Sequence, residues 1–197
     1  MLAGIAGSSI AGPSREQARH DGLVIPQVVN AYLPDPAYVV DCCWNVMAAN
    51  SAARLLLGSQ LAEGNYLRLL FTDPSFRRLF PDWERDASDT VARFRAHSGG
   101  RVEDPEVSTV IDGLRRDSEE FTRLWDQRVV ADGSCLTQAM DHPGLGLVGF
   151  TRVTLDFTRQ GGFRLVLLLS DPATRELIAT RWAESGEPVL GGMTMAA

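Results

Sequence analysis

Few side chains in this sequence stand in a setting that would let them do chemistry. His142 lies between Asp141 and Pro143, where an imidazole could act as a general base or hold a carboxylate near neutral pH. A His-Pro-Gly turn equally suits an imidazole that bonds only backbone. Gln127 follows Trp125 at the end of a helical stretch and is the polar group best placed to face a ligand. Asn50 could present its amide to a bound molecule or serve as a helix cap. If the chain is an enzyme, His142, Gln127 and Asn50 are its catalytic candidates. Arg77-Arg78 and Arg115-Arg116 could each clamp a ligand carboxylate bidentately, or pair with acids at the surface.

Several chemistries are excluded by residue type. All 19 basic residues are arginine, so no lysine Schiff base or lysine general base exists. No Gly-x-Ser-x-Gly elbow is present for a serine hydrolase. Gly161-Gly162 and Gly191-Gly192 lack the lysine and the strand-to-helix context of a phosphate loop. Three scattered histidines assemble no metal set, and no cofactor motif is found. Cys42, Cys43 and Cys135 are odd in number, two are adjacent, and none forms a Cys-x-x-Cys pair. Free thiols in a reducing cytoplasm are the expectation. A net charge of −6 argues against a nucleic-acid binder, which needs a basic face. No run is apolar for long enough to span a membrane, and Met1–Gly12 lacks the basic start of a signal peptide.

The elements that position these residues are legible in the spacing. Tyr38–Asp41 and Val46–Ala49 flank a turn-prone Asp41–Asn45 and predict a β-hairpin. Asn50 then caps a short helix with Ala52, Ala53, Leu56 and Leu57 on its apolar side and Gly58 as its stop. Before the hairpin, Leu23–Leu33 predicts a helix, and residues 1–22 a mobile arm. After it, Ser75–Phe80 predicts a helical turn. Trp83, Ala87, Val91 and Phe94 mark a longer helix, with Val107, Val110, Ile111 and Leu114 on the next. Ser118 caps a third, with Glu119 and Glu120 in its first turn. The period then changes to two. Ser134–Met140, Leu145–Phe157 and Phe163–Ser170 predict three strands. In the middle one, Leu147, Val153, Leu155 and Phe157 share one face and Arg152, Thr154 and Asp156 the other. Thr174–Ala183 predicts a last helix, and residues 184–197 a tail.

Three runs carry a family resemblance: Leu67–Glu84 (LRLLFTDPSFRRLFPDWE), Ser118–Val130 (SEEFTRLWDQRVV) and Asp141–Gly146 (DHPGLG). In this order, behind the Trp44-x-Val46-x-x-x-Asn50 hairpin and helix, they resemble the MmyB-like ligand-binding domain of actinobacterial helix-turn-helix (XRE-type) transcription regulators. The resemblance covers roughly Pro36 to Asp171. It implies an α+β, PAS-like fold over residues 23–183: a five-stranded antiparallel sheet with helices packed on one face. It also implies an apolar cavity between the two, suited to a fatty-acid-like or other small hydrophobic ligand. Three positions depart from the family pattern. Ala49 stands for an aromatic, Gln127 for a histidine, and Leu136 or Thr137 for a basic residue. The residues before the hairpin are too few for the family's DNA-binding domain, so direct nucleic-acid binding is not expected.

The candidate ligand-binding residues are Trp44, Val46, Asn50, Tyr66, Phe71, Phe121, Trp125, Gln127, Phe150 and Val153. Aromatic and aliphatic walls with a few polar groups are what a small-molecule site needs, although the same residues could fill a packed core. The expected function is a cytoplasmic sensor holding a small hydrophobic, fatty-acid- or polyketide-like molecule, signalling through a partner or as a homodimer. The alternative is a stand-alone cyclase or isomerase of secondary metabolism on the same scaffold.

Overall fold

The computed structural model describes residues 24–98, 104–128, 136–157 and 162–185. The proposed arm, the residues beyond Ser185, Cys135 and the start of the first predicted meander strand lie outside them. A helix over 24–30 (α1) gives way to turns at 31–34. It stops short of Leu33, because a residue preceding proline is pushed out of the α region. β1 (Ala37–Val40) and β2 (Val46–Ala49) form the expected hairpin. A register slip between Val39 and Val40 lets Val46 and Ala49 reach the same core, although they are not two residues apart.

Local capping then sets each helix. Asn50 accepts from the Ala53 amide at 2.8 Å and opens α2 (Ser51–Leu57). Gly58 ends it at φ 89°, a region that a side chain would strain. A 3-10 turn, Ser59–Glu63, leads to α3 (Tyr66–Thr72) and α4 (Pro74–Arg77), capped by Asn65 and Asp73. α5 (Trp83–Ser98) buries Trp83, Ala87, Val91 and Phe94, as their spacing predicts. Asp104 caps α6 (Pro105–Asp117) and Ser118 caps α7 (Glu119–Asp126).

β3 (Leu136–His142), β4 (Gly146–Asp156) and β5 (Arg164–Ser170) form the meander, followed by α8 (Pro172–Ser185). The sheet is antiparallel in the order β2-β1-β5-β4-β3, so the last strand closes onto the first. This is an α+β, PAS-like architecture.

β5 is the central strand, and Leu165, Val166, Leu167 and Leu168 are all buried. Val166 and Leu168 face the main core with Tyr38, Met140, Val148 and Phe150, under side chains from α2 to α8. Leu165 and Leu167 face the other way, against Ile25 and Val29 of α1. The helices are therefore not confined to one face. A strand apolar on both sides needs cover on both, and α1 supplies the second.

β4 divides its side chains between two faces as its alternation predicts, and the face that carries Arg152 is the inward one. Val148, Phe150 and Arg152 point into the main core, whereas Leu147 is 71% exposed and Leu155 48%. Val153 packs in the second core, on the face opposite Phe150. It cannot share a cavity with Phe150, because alternate residues of a strand point to opposite faces.

Candidate functional site

Arg152 is the least expected residue of the main core, 5% exposed in the middle of β4. A buried guanidinium persists only where it is paired and hydrogen-bonded. Its Nη2 donates to Gln138 Oε1 on β3 at 2.6 Å, and its Nη1 lies 3.3 Å from Asp89 Oδ2 on α5. The same Asp89 oxygen accepts from Arg93 Nε at 2.7 Å, so two guanidinium groups share one carboxylate oxygen. Gln138 Nε2 donates in turn to Asp86 Oδ1 at 3.2 Å, adding a second polar tie between sheet and α5. Burial lifts the Asp86 carboxyl to about 6, with Arg152 and Gln138 pulling the other way.

Beside Arg152 lies an internal space of about 10 Å³, lined by Tyr38, Trp44, Tyr66, Arg93, Arg152, Thr154, Arg164 and Val166. It has room for about one water. Tyr38 and Tyr66 stack with ring centroids 5.6 Å apart, and Trp44 meets Tyr66 edge-on at 5.8 Å. Burial raises the pKa of both phenols, so they are neutral hydroxyls here. Arg164, the first residue of central β5, is held by Asp156 at the end of β4 through bonds of 2.6 and 3.0 Å. Two lining residues carry a buried donor with no partner among the described residues: Trp44 through Nε1 and Arg152 through Nε.

Trp44 reaches this position through an uncommon backbone. Its φ is 64°, a left-handed conformation that bulky side chains rarely adopt. Asp41 Oδ1 accepts from the amides of Cys43 and Asn45, Asn65 Nδ2 donates to Cys43 O, and the Tyr66 amide donates to Trp44 O. Together these bonds hold the turn and drive the indole inward. Cys43 packs in the same turn, and burial pushes its thiol up to about 12, which leaves it unreactive.

Of the ten candidate ligand-binding residues, Trp44 and Tyr66 line this space. Val46, Phe71, Phe121 and Phe150 belong to the surrounding core, and Trp125 packs against it half-buried. Asn50 is spent on the fold. Its Oδ1 accepts from Ala37 and Ala53, and its Nδ2 donates to Val29 O at 3.0 Å and Asp35 O at 2.9 Å. All four of its hydrogen-bonding positions are filled. Gln127 is exposed just past α7, because residues two apart on a helix do not share a face, and Trp125 takes the inward one.

His142 is also committed. Its Nδ1 accepts from the Gly144 and Leu145 amides, and its Nε2 lies 3.1 Å from Leu55 O, which assigns the ring proton to Nε2. Burial lowers its pKa. The three catalytic candidates therefore present no free group to the internal space. Arg77 pairs with Glu120 and covers the Trp83 ring, while Arg115 and Arg116 pair with Asp126 and Asp117. Sequence reasoning missed Arg152, Tyr38 and Arg93. For Arg152 a signal was present, since it shares strand parity with Val148 and Phe150.

Sheet, covering helices and a buried polar site between them define a PAS-like domain. Residues 24–181 match the family described as MmyB-like transcription regulator ligand binding domain. The chain belongs to this family, and is a regulatory ligand-binding domain. A comparison with curated proteins gives no match. Among the described residues no helix is long and apolar enough to cross a membrane.

Proposed function

We propose that this domain binds a small hydrophobic molecule, fatty-acid- or polyketide-like, between the sheet and helices α3, α5 and α7. The observation that carries this reading is the pair of unpartnered buried donors, Trp44 Nε1 and Arg152 Nε, at one aromatic-lined space. A buried donor without a partner costs about 1–3 kcal/mol, and a ligand acceptor would recover it. The space is water-sized, so a larger ligand has to part the helices from the sheet. Binding would thereby change the helical surface offered to a second copy or to a DNA-binding partner in the cytoplasm.

Native mass spectrometry of freshly purified protein, repeated after denaturation, tests this reading. A co-purified small molecule released on unfolding is the expected result. A bare protein mass, unchanged after incubation with fatty acids and aromatic polyketide extracts, would refute it.

A further inference from the structure

The chemistry of the buried site narrows the ligand class, on the reading that the domain binds a small molecule at this place. Both unpartnered groups lining the space are donors, and neither can accept. Two arginines share Asp89, and the other nearby acid, Asp86, is drawn towards its neutral form by burial. Such a set calls for a group that only accepts and carries negative charge. The walls are flat rings, Tyr38, Trp44 and Tyr66, with Phe94 edge-on behind Trp44 at 6.1 Å. Stacking surfaces of this kind match an aromatic body better than a flexible chain.

We propose that the site takes an aromatic carboxylic acid whose carboxylate displaces Asp89 from Arg152. The Arg152–Asp89 contact is the longest of the linked bonds, 3.3 Å against 2.6 Å to Gln138 and 2.7 Å between Asp89 and Arg93. Asp89 can release Arg152 and keep Arg93, so no carboxylate is left buried and alone. Gln138 keeps the guanidinium aimed, and the Nη1 that Asp89 releases then donates to the ligand carboxylate. Displacement removes the Arg152–Asp89 tie between the sheet and α5. α5 is thus the element that registers occupancy.

The test uses the full chain and three probes: 2-naphthoate, its neutral counterpart 2-naphthamide, and decanoate, with affinities from calorimetry. Naphthoate is expected to bind at least about ten-fold tighter than naphthamide, the scale of one charge-assisted hydrogen bond. Arg152→Met should remove that preference, and Asp89→Asn should tighten naphthoate several-fold while leaving naphthamide unchanged. Trp44→Phe, which keeps a ring but drops the donor, should weaken naphthoate a few-fold and serves if the Arg152 variant does not fold. Amide exchange along α5 should quicken with naphthoate and not with naphthamide. Equal binding of acid and amide would overturn carboxylate recognition. Decanoate binding tighter than naphthoate would overturn the aromatic class, and an Asp89→Asn variant of unchanged affinity would overturn displacement. If no probe binds but native mass spectrometry releases another molecule, this inference falls and the ligand-binding reading stands. If neither occurs, both fall.

Discussion

Replacing Asn50 with alanine should destabilise the domain severely while leaving ligand chemistry untouched. The side chain joins four backbone groups from α1, the Asp35 turn, β1 and α2. Loss of the cap bond to Ala53 alone costs about 1 kcal/mol. The Ala37 amide and the Asp35 carbonyl lose their partner inside a closed core, at about 1–3 kcal/mol each. The Val29 carbonyl suffers less, because it also accepts from the Tyr32 amide at 3.3 Å. Allowing for partial relaxation, the total is about 3–5 kcal/mol, a large share of a typical domain's stability. Urea unfolding followed by tryptophan fluorescence would show a lower midpoint at unchanged slope, and Tm should fall by about 6–20 °C. Asn50→Asp keeps the acceptors but sets a carboxylate against two carbonyl oxygens, so it should lose at least as much at neutral pH. A loss below about 1 kcal/mol for Asn50→Ala would refute this accounting. Weakened ligand binding at full stability would restore Asn50 as a contact residue.

Three further outcomes follow from the same structure. Asp86 has a folded-state pKa above its unfolded value, so the folded state binds the extra proton between about pH 4 and 6 and ionisation weakens the fold above that window. Asp86→Asn should therefore stabilise the domain at pH 7.5 by roughly 1 kcal/mol, discounted for solvent screening, and give no gain near pH 4 when melting is repeated across pH. His142 has the opposite linkage: its pKa is lowered, the unfolded state takes the proton first, and stability drops as pH falls below about 6.5. An NMR titration of the ring should place its midpoint below that of an unfolded control, and a midpoint at or above the control would remove the effect. Leu147→Lys should change stability by less than about 0.5 kcal/mol, whereas Val148→Lys should prevent folding, as read by circular dichroism. The reverse order would mean that β4 faces the other way.

What was legible in the sequence is local. Asn50 and Ser118 announce their helices because each cap acts within three residues of itself. The Asp41–Asn45 turn announces the hairpin for the same reason. The facing of β4 was not legible, since Leu147, Val153 and Leu155 compete with Val148 and Phe150 and both sets alternate correctly. Only remote partners decide between them, with Met140 and the helices on one side and α1 with part of β5 on the other. Arg152 was missed for a related reason. Its burial depends on Gln138, 14 residues away, and on Asp89, 63 residues away, so its parity with Val148 and Phe150 was the one local sign and did not reveal the partners. Gln127 fails on a point that the sequence did contain, because a helix that turns Trp125 inward turns Gln127 outward.

The two buried tryptophans of this core show where the fold gives up stability. The Trp83 indole N–H donates to Leu70 O at 3.1 Å, tying the start of α5 to α3 from ordinary helical backbone. The Trp44 indole, no more exposed, sits on a left-handed backbone with its N–H unpartnered. Strain of order 1–3 kcal/mol and an unmet donor therefore fall on one residue. Four hydrogen bonds around the Asp41 turn hold it there. The residue so held touches the same space as Arg152, the other lining group with an unmet donor. A fold that satisfies Asn50 completely has the means to satisfy an indole. Both unmet donors of the lining lie at one aromatic-walled place, which is where the acceptor of the proposed ligand would sit.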